Sequence, residues 1–169
     1  PDHWGRSIMD RRLREAGINP ASVSVLKRLA MVGSGGFGAL SYQPAESEDA
    51  YEFKTLDDAV RFSRDVLTLN AGSLPGSKVM QQAGSNPGGR YPKLCVGWQP
   101  ETGDLVVGTQ CYPEGFIPCL LKLDWADDSS QGEKEPCRQE YDLLGHAERC
   151  GITVPNRWLL ATKEAGGCK

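Results

Sequence analysis

The feature that most constrains the fold of this chain is a segment rich in turn-forming residues at positions 71–92. Twelve of these 22 positions are Gly, Pro, Ser or Asn, residues that favour turns and interrupt helices and strands. The segment therefore predicts a linker or a functional loop. Apolar residues recur at helical spacing before it and alternate as in strands after it, so we predict an α+β fold built from two different regions.

Helices dominate the region before this segment. Three are predicted, over residues 4–16, 20–30 and 56–69. Asn19 followed by Pro20 is typical of a helix start. Thr55 with Asp58 three positions later forms a capping box before the third helix. The acidic residues 44–52 are predicted to form a loop.

The region after the segment is predicted to form an antiparallel sheet with one helix. Strand patterns at 93–98 and 104–108 flank Glu101-Thr102-Gly103, which predicts a β-hairpin. Further elements are predicted as a strand at 116–123, a helix at 137–150 and a strand at 152–160. The order is β-β-β-α-β, and residues 161–167 are predicted to form the next hairpin turn.

Charge and cysteine content exclude several classes of protein. The net charge is −3, from 19 basic and 22 acidic side chains, so no overall basic field exists to hold nucleic acid. No run approaches the roughly 18 apolar residues of a membrane span. The six cysteines include no C-x-x-C pair, and His3 and His146 are the only histidines, so paired zinc ligands are absent. We interpret the cysteines as reduced thiols of a cytosolic protein.

Two glycine-rich segments are candidates for nucleotide binding. Residues 33–38 match G-x-G-x-x-G, but the dinucleotide fingerprint requires a strand before it and a helix after it. The order here is reversed, which favours a structural turn over a dinucleotide site. Residues 85–93 open the predicted hairpin instead, and a loop with bare glycine backbone in that place is suited to nucleotide phosphates. The alternative is a tight turn with a nearby lysine.

A lysine and a glutamate follow this second segment in a suggestive order. Lys122 lies in an apolar strand, and Glu140 lies in the next predicted helix. In protein kinases a strand lysine holds the nucleotide phosphates and a glutamate of the following helix orients it. The alternative is a surface ion pair worth about 0–1 kcal/mol.

Three stretches resemble the HipA family of bacterial toxin kinases. Residues 1–12 and 32–40 are similar to its "PDxWGRxLxDRR … VGxxGxGAL" pattern, and residues 87–93 to its "GGARPK" segment. Residues 122–155 resemble its "KF … E … LA … GI-VP" stretch. The resemblance spans nearly the whole chain in the family's order.

The resemblance implies an ATP- and Mg²⁺-dependent serine/threonine kinase of a toxin–antitoxin system. The implied ATP-binding residues are Gly88, Gly89, Arg90, Lys93, Lys122 and Glu140. Implied partners are a helix-turn-helix antitoxin (HipB-like), through which DNA is reached indirectly, and an aminoacyl-tRNA synthetase as substrate, with no membrane. The implied autophosphorylation position falls at Ser85 or Asn86, and Asn86 cannot accept phosphate.

The resemblance also implies a domain division. Residues 1–72 match the later part of the N-terminal subdomain, 73–92 the linker and phosphate loop, and 93–169 a truncated kinase N-lobe. No HxD…N catalytic loop occurs, so no catalytic or metal-binding residue is assigned. We expect a fragment of a longer kinase that is inactive alone. The alternative is a non-catalytic interaction module, a split or decayed toxin half that binds a partner lobe or the antitoxin.

Overall fold

The computed structural model describes residues 3–46, 50–68, 76–108, 112–124 and 136–161. Within these ranges the elements are, in chain order, α1 (His3–Glu15), a 3-10 helix (Pro20–Ser22), α2 (Val25–Val32), β1 (Tyr51–Lys54), α3 (Leu56–Thr68), α4 (Lys78–Ser85), β2 (Lys93–Gln99), β3 (Asp104–Gly108), β4 (Ile117–Lys122) and α5 (Pro136–Arg149). The predicted α+β class is confirmed, with a mainly helical first region and an antiparallel sheet after it.

The four strands form one antiparallel sheet in the order β1-β3-β2-β4. The predicted hairpin is confirmed as β2 and β3, and the predicted third strand is β4. β4 pairs with the other side of β2, in a register that sets Lys122 opposite Lys93. Register partners in an antiparallel pair point to the same face of a sheet, so these two lysines share a face.

β1 corrects the prediction of a loop over residues 44–52. Tyr51 and the residues after it pair with β3, with Tyr51 opposite Gly108. A Cβ at Gly108 would lie 2.7 Å from the carbonyl oxygen of Ala50 and 2.8 Å from the Tyr51 Cβ, so glycine is what lets β1 approach. The strand depends on a partner more than fifty positions away, and a four-residue pattern carries no sign of that pairing.

α4 corrects the prediction of an irregular segment between the two regions. Ser77 caps this helix by accepting a hydrogen bond from the Met80 backbone, as a good N-cap residue does. The helix packs against α1, β2 and β3. A Cβ at Gly84 would lie 2.9 Å from Ile8 Cδ1 and 3.1 Å from Leu94 Cδ2. Gly84 is one of the twelve residues that led to the prediction of a linker or loop, and its lack of a side chain lets α4 pack closely.

One main core joins the two predicted regions. Its buried members are Trp4, Ile8, Ala59, Phe62, Val66, Met80, Ala83, Leu94, Cys95, Val96, Leu105, Val107 and Leu123. Side chains of α1 and α3 thus pack together with α4 and the sheet. The assignment of residues 1–72, 73–92 and 93–169 to separate kinase parts stays a prediction, but these parts share apolar packing.

The helix predicted over 20–30 was wrong in its extent. Asn19 does cap at the predicted place, since its side chain accepts from the Ala21 backbone, but only the 3-10 helix follows. Val23 is extended, and Ser24 then caps α2 by accepting from the Lys27 backbone. Two capping residues five positions apart therefore divide one apolar stripe into two elements.

Other local predictions had mixed outcomes. The capping box is confirmed, because the Thr55 backbone donates to Asp58 Oδ2 at 2.9 Å and the Asp58 backbone donates to Thr55 Oγ1 at 3.1 Å. The helix over 137–150 is confirmed as α5. The strand over 152–160 was wrong, because this segment is irregular and pairs with no described strand. The turn predicted at 161–167 lies, after its first residue, outside the described residues.

Candidate functional site

The segment between α4 and β2, residues 86–92, is called the glycine loop here. Its first residues are buried, and the Asn86 side-chain amide donates to the carbonyl oxygen of Gly35 at 2.7 Å. Gly88, Arg90 and Tyr91 are exposed. The loop is therefore anchored at its base and reaches the surface in its middle.

Trp4 holds the glycine loop from the start of α1. Its backbone N–H donates to the carbonyl oxygen of Gly89 at 3.1 Å, and its indole N–H donates to the carbonyl oxygen of Lys93 at 2.9 Å. The side chain is 1% exposed. Buried hydrogen bonds of this kind are costly to leave unmade, so they fix the loop against α1.

Lys93 closes the loop from the β2 side. Its ammonium donates to the carbonyl oxygen of Gly88 at 2.8 Å, and the residue is buried. Gly89 has a φ of 97°, a conformation that favours glycine. A Cβ at Gly89 would also collide with Lys93 Nζ. Glycine at this position thus serves both the backbone conformation and the space that the ammonium occupies.

Lys122 and Glu140 form an ion pair between β4 and α5. Their side chains are 43% and 47% exposed. A pair this open to water adds about 0–1 kcal/mol to stability. It nevertheless defines the direction of the Lys122 side chain on the sheet face that also carries Lys93.

Asp124 sets the position of α5 relative to β4. Its carboxylate accepts a hydrogen bond from the Cys137 backbone at 2.8 Å, in the first turn of α5. A carboxylate at this end of a helix satisfies a free N–H and interacts favourably with the helix dipole. Burial raises the pKa of the Cys137 thiol to about 12, and the neighbouring Asp124 adds to the rise.

Arg90 differs from the other residues predicted for this site. Its guanidinium lies 6.0 Å from the centre of the Tyr91 ring, a cation–π distance at an exposed place.

Four of the predicted site residues form two contacting pairs, Gly88 with Lys93 and Lys122 with Glu140. Sheet register brings the two pairs together, while Gly89 lies in the loop and Arg90 extends from it.

Ser85 lies at the base of the loop and is fully buried. Its exposure is 0%, and its hydroxyl donates to the carbonyl oxygen of Gln82 at 3.0 Å. Phosphorylation at this hydroxyl stays a prediction of the resemblance. It requires the end of α4 and the loop to open first, because a phosphate carries charge and cannot replace a buried hydroxyl.

The other glycine-rich segment, residues 33–38, has a structural role. Gly33 ends α2 with a φ of 57°, and Gly35 accepts the Asn86 hydrogen bond described above. The sheet is antiparallel, whereas a dinucleotide fold needs a parallel one. A shallow groove of about 220 Å³ beside this segment is lined by Leu29, Val32, Gly36, Phe37, Ala39, Leu40, Tyr42 and Asn86. Neither site lysine lines it.

Trp4 and Asp124 were not predicted as site residues. Sequence reasoning placed Trp4 in an apolar stripe, and nothing local tells where an indole N–H will donate. Asp124 lies two positions after Lys122 of β4, but thirteen positions separate it from its partner at Cys137. The contacts of both residues span elements and depend on the tertiary fold.

The chain was also compared with known proteins. No family profile, curated protein or solved structure matches it. Within the described parts of the chain, no helix is long and apolar enough to cross a membrane.

Proposed function

We propose that this chain carries the phosphate-binding part of the ATP site of a HipA-like serine/threonine protein kinase, the toxin of a type II toxin–antitoxin system. The observation that carries the proposal is the ion pair between Lys122 of β4 and Glu140 of α5. The resemblance implies the same pairing of these two residues. A strand lysine oriented by a glutamate of the next helix is the arrangement that kinases use to hold nucleotide phosphates.

The surroundings of Lys122 support an anionic ligand. Lys93 lies opposite it on the neighbouring strand, and the Lys93 ammonium donates to the carbonyl oxygen of Gly88 in the glycine loop. Glu140 forms an ion pair with Lys122, and Lys93 places a second lysine on the same face of the sheet. Gly88 and Gly89 have no side chains, and close approach of backbone to phosphate requires this.

ATP would supply the transferable phosphoryl group, with Mg²⁺ on its phosphates. Among the described residues, no three His, Cys, Asp or Glu side chains form a group that could hold a metal ion. The residues assigned here are those that would hold the phosphates. The proposal includes the implied setting of the family: the cytoplasm, a helix-turn-helix antitoxin and an aminoacyl-tRNA synthetase as substrate.

The second candidate function is that of a non-catalytic interaction module. α5 and the irregular segment after it expose large apolar side chains, with Leu143 at 66% and Ile152 at 59% exposure. Exposed apolar residues that group on one surface are typical of interaction sites. On this alternative, the chain binds a partner kinase lobe or the antitoxin without binding ATP.

Nucleotide affinity separates the two candidates. The chain should bind a fluorescent ATP analogue, ATP should displace it, and Lys122→Ala should weaken binding. Lys27→Ala is the matched control, because Lys27 forms a similarly exposed ion pair with Glu46 away from the proposed site. A wild-type chain that binds a HipB-like antitoxin but no ATP would reject the proposal in favour of the interaction module.

A further inference from the structure

We propose that Trp4 is a positioning residue for the nucleotide phosphates, because it clamps the carbonyl groups of the glycine loop away from the bound anion. The inference rests on the proposed ATP site and adds a residue that lies outside the predicted site set. Trp4 acts through the loop, and its two donors are the backbone N–H and the indole N–H described above.

The hydrogen bonds hold carbonyl oxygens at both ends of the exposed part of the glycine loop. Trp4 donates hydrogen bonds to the carbonyl oxygens of Gly89 and Lys93, at 3.1 and 2.9 Å. The carbonyl of Gly88 accepts from Lys93 Nζ at 2.8 Å. The carbonyl of Pro92 accepts from the Leu123 backbone at 3.1 Å. Three carbonyls of the glycine loop and that of Lys93, the first residue of β2, thus accept hydrogen bonds from α1, from β2 and from the residue after β4.

The direction of these carbonyls matters for an anionic ligand. A carbonyl oxygen carries partial negative charge, so one that turned toward a phosphate would repel it. Glycine backbone is free to make such a turn, since it has access to both signs of φ. Donors that fix the carbonyls in the protein remove this freedom before the ligand arrives. Such preorganisation raises affinity by lowering the ordering cost of binding.

The packing of the Trp4 ring and the hydrogen bond of its indole N–H can be tested separately. The ring belongs to the main core with Ile8 and Leu94, so truncation to alanine would disturb packing. Trp4→Phe keeps an aromatic ring and removes the donor to Lys93. Trp98 offers the matched control, because its indole N–H has no hydrogen-bond partner among the described residues. Trp98→Phe therefore removes an indole N–H without removing a loop contact.

Two measurements on the full chain test the inference: ATP affinity, and amide hydrogen exchange resolved over residues 86–93 and over β3. We expect Trp4→Phe to weaken ATP binding by about five- to tenfold, the effect of one buried hydrogen bond. Exchange should quicken in the loop while β3 keeps its protection. Trp98→Phe should match the wild type in ATP affinity and in loop exchange.

A second variant keeps the test decisive if Trp4→Phe does not fold. Gly89→Ala places a methyl group where Lys93 Nζ lies, and so releases the Gly88 carbonyl. It should also weaken ATP binding and quicken loop exchange.

Each contrary outcome has a distinct meaning. Unchanged ATP affinity in Trp4→Phe would overturn the inference and leave the proposed function standing. Equal quickening of exchange in β3 and the loop would also overturn it, because Trp4 would then serve the core alone. A wild-type chain that binds no ATP would reject the proposed function, and with it a nucleotide role for Trp4.

Discussion

The ion pair of Lys122 and Glu140 gives a prediction in which stability and binding separate. The side chains are 43% and 47% exposed, so loss of the pair should change the free energy of unfolding by no more than about 1 kcal/mol. A hydrogen bond from lysine to a charged phosphate contributes about 1.5–3 kcal/mol, which is about 10- to 150-fold in Kd. Lys122→Ala should therefore fold normally and bind ATP at least tenfold more weakly.

Glu140→Gln tests the orienting role separately. It leaves the lysine charge in place and removes the carboxylate that directs it, so its effect on ATP affinity should be smaller than that of Lys122→Ala. The double variant should bind ATP no more weakly than Lys122→Ala alone. Such non-additivity is expected because the glutamate acts through the lysine. Isothermal titration gives the affinities, and urea denaturation gives the free energies of unfolding.

Lys27 and Glu46 supply the control cycle. Their side chains are 50% and 41% exposed, close to the values of the site pair. Lys27→Ala, Glu46→Gln and the double variant should leave ATP affinity unchanged. The reasoning is refuted if Lys122→Ala binds ATP within twofold of the wild type, or if the control pair shows an equal loss.

Three further predictions concern stability and reactivity. Gly84→Ala gains about 1 kcal/mol of helix propensity, but the added methyl group overpacks the core at a cost of about 1–3 kcal/mol. Urea denaturation should therefore show a lower free energy of unfolding. A more stable variant would contradict the packing argument. Hydrogen bonds from Thr55 lower the pKa of Asp58 below 3.8 in the folded protein. The stability that these bonds add is therefore present above pH 3.8 and is lost as the pH falls through the lower pKa of the folded state. In Thr55→Ala this loss of stability in acid should be smaller. Burial raises the pKa of the Cys137 thiol to about 12, so iodoacetamide at pH 8 should modify exposed Cys150 faster than Cys137, as peptide mass spectrometry would detect.

Local signals predicted those parts of the fold that depend on neighbours in the chain. The capping box at Thr55 and the hairpin turn at Gly103 lie where the pattern placed them, because each needs only residues three or four positions away. The strand predicted at 152–160 had apolar residues but no partner strand in the described structure. An apolar run is a condition for a strand, and pairing decides whether one forms.

The candidate site was predicted in part. The order of Lys122 and Glu140 along the chain matches their contact, since one strand and the next helix are connected in sequence. Trp4 was missed because its partner at Lys93 lies 89 positions away. A side-chain donor that bonds a distant backbone carbonyl leaves no periodic signal in the sequence.

The sequence by itself determined the α+β class, the hairpin and the lysine–glutamate pair, because periodicity, turn residues and chain order act over short distances. The tertiary structure alone decided that residues 78–85 form a helix and residues 51–54 a strand. Gly84 and Gly108 explain the difference. Gly84 weakens the local signal for the helix over residues 78–85, and both glycines let a distant element approach closely. That benefit exists only once the partner is in place.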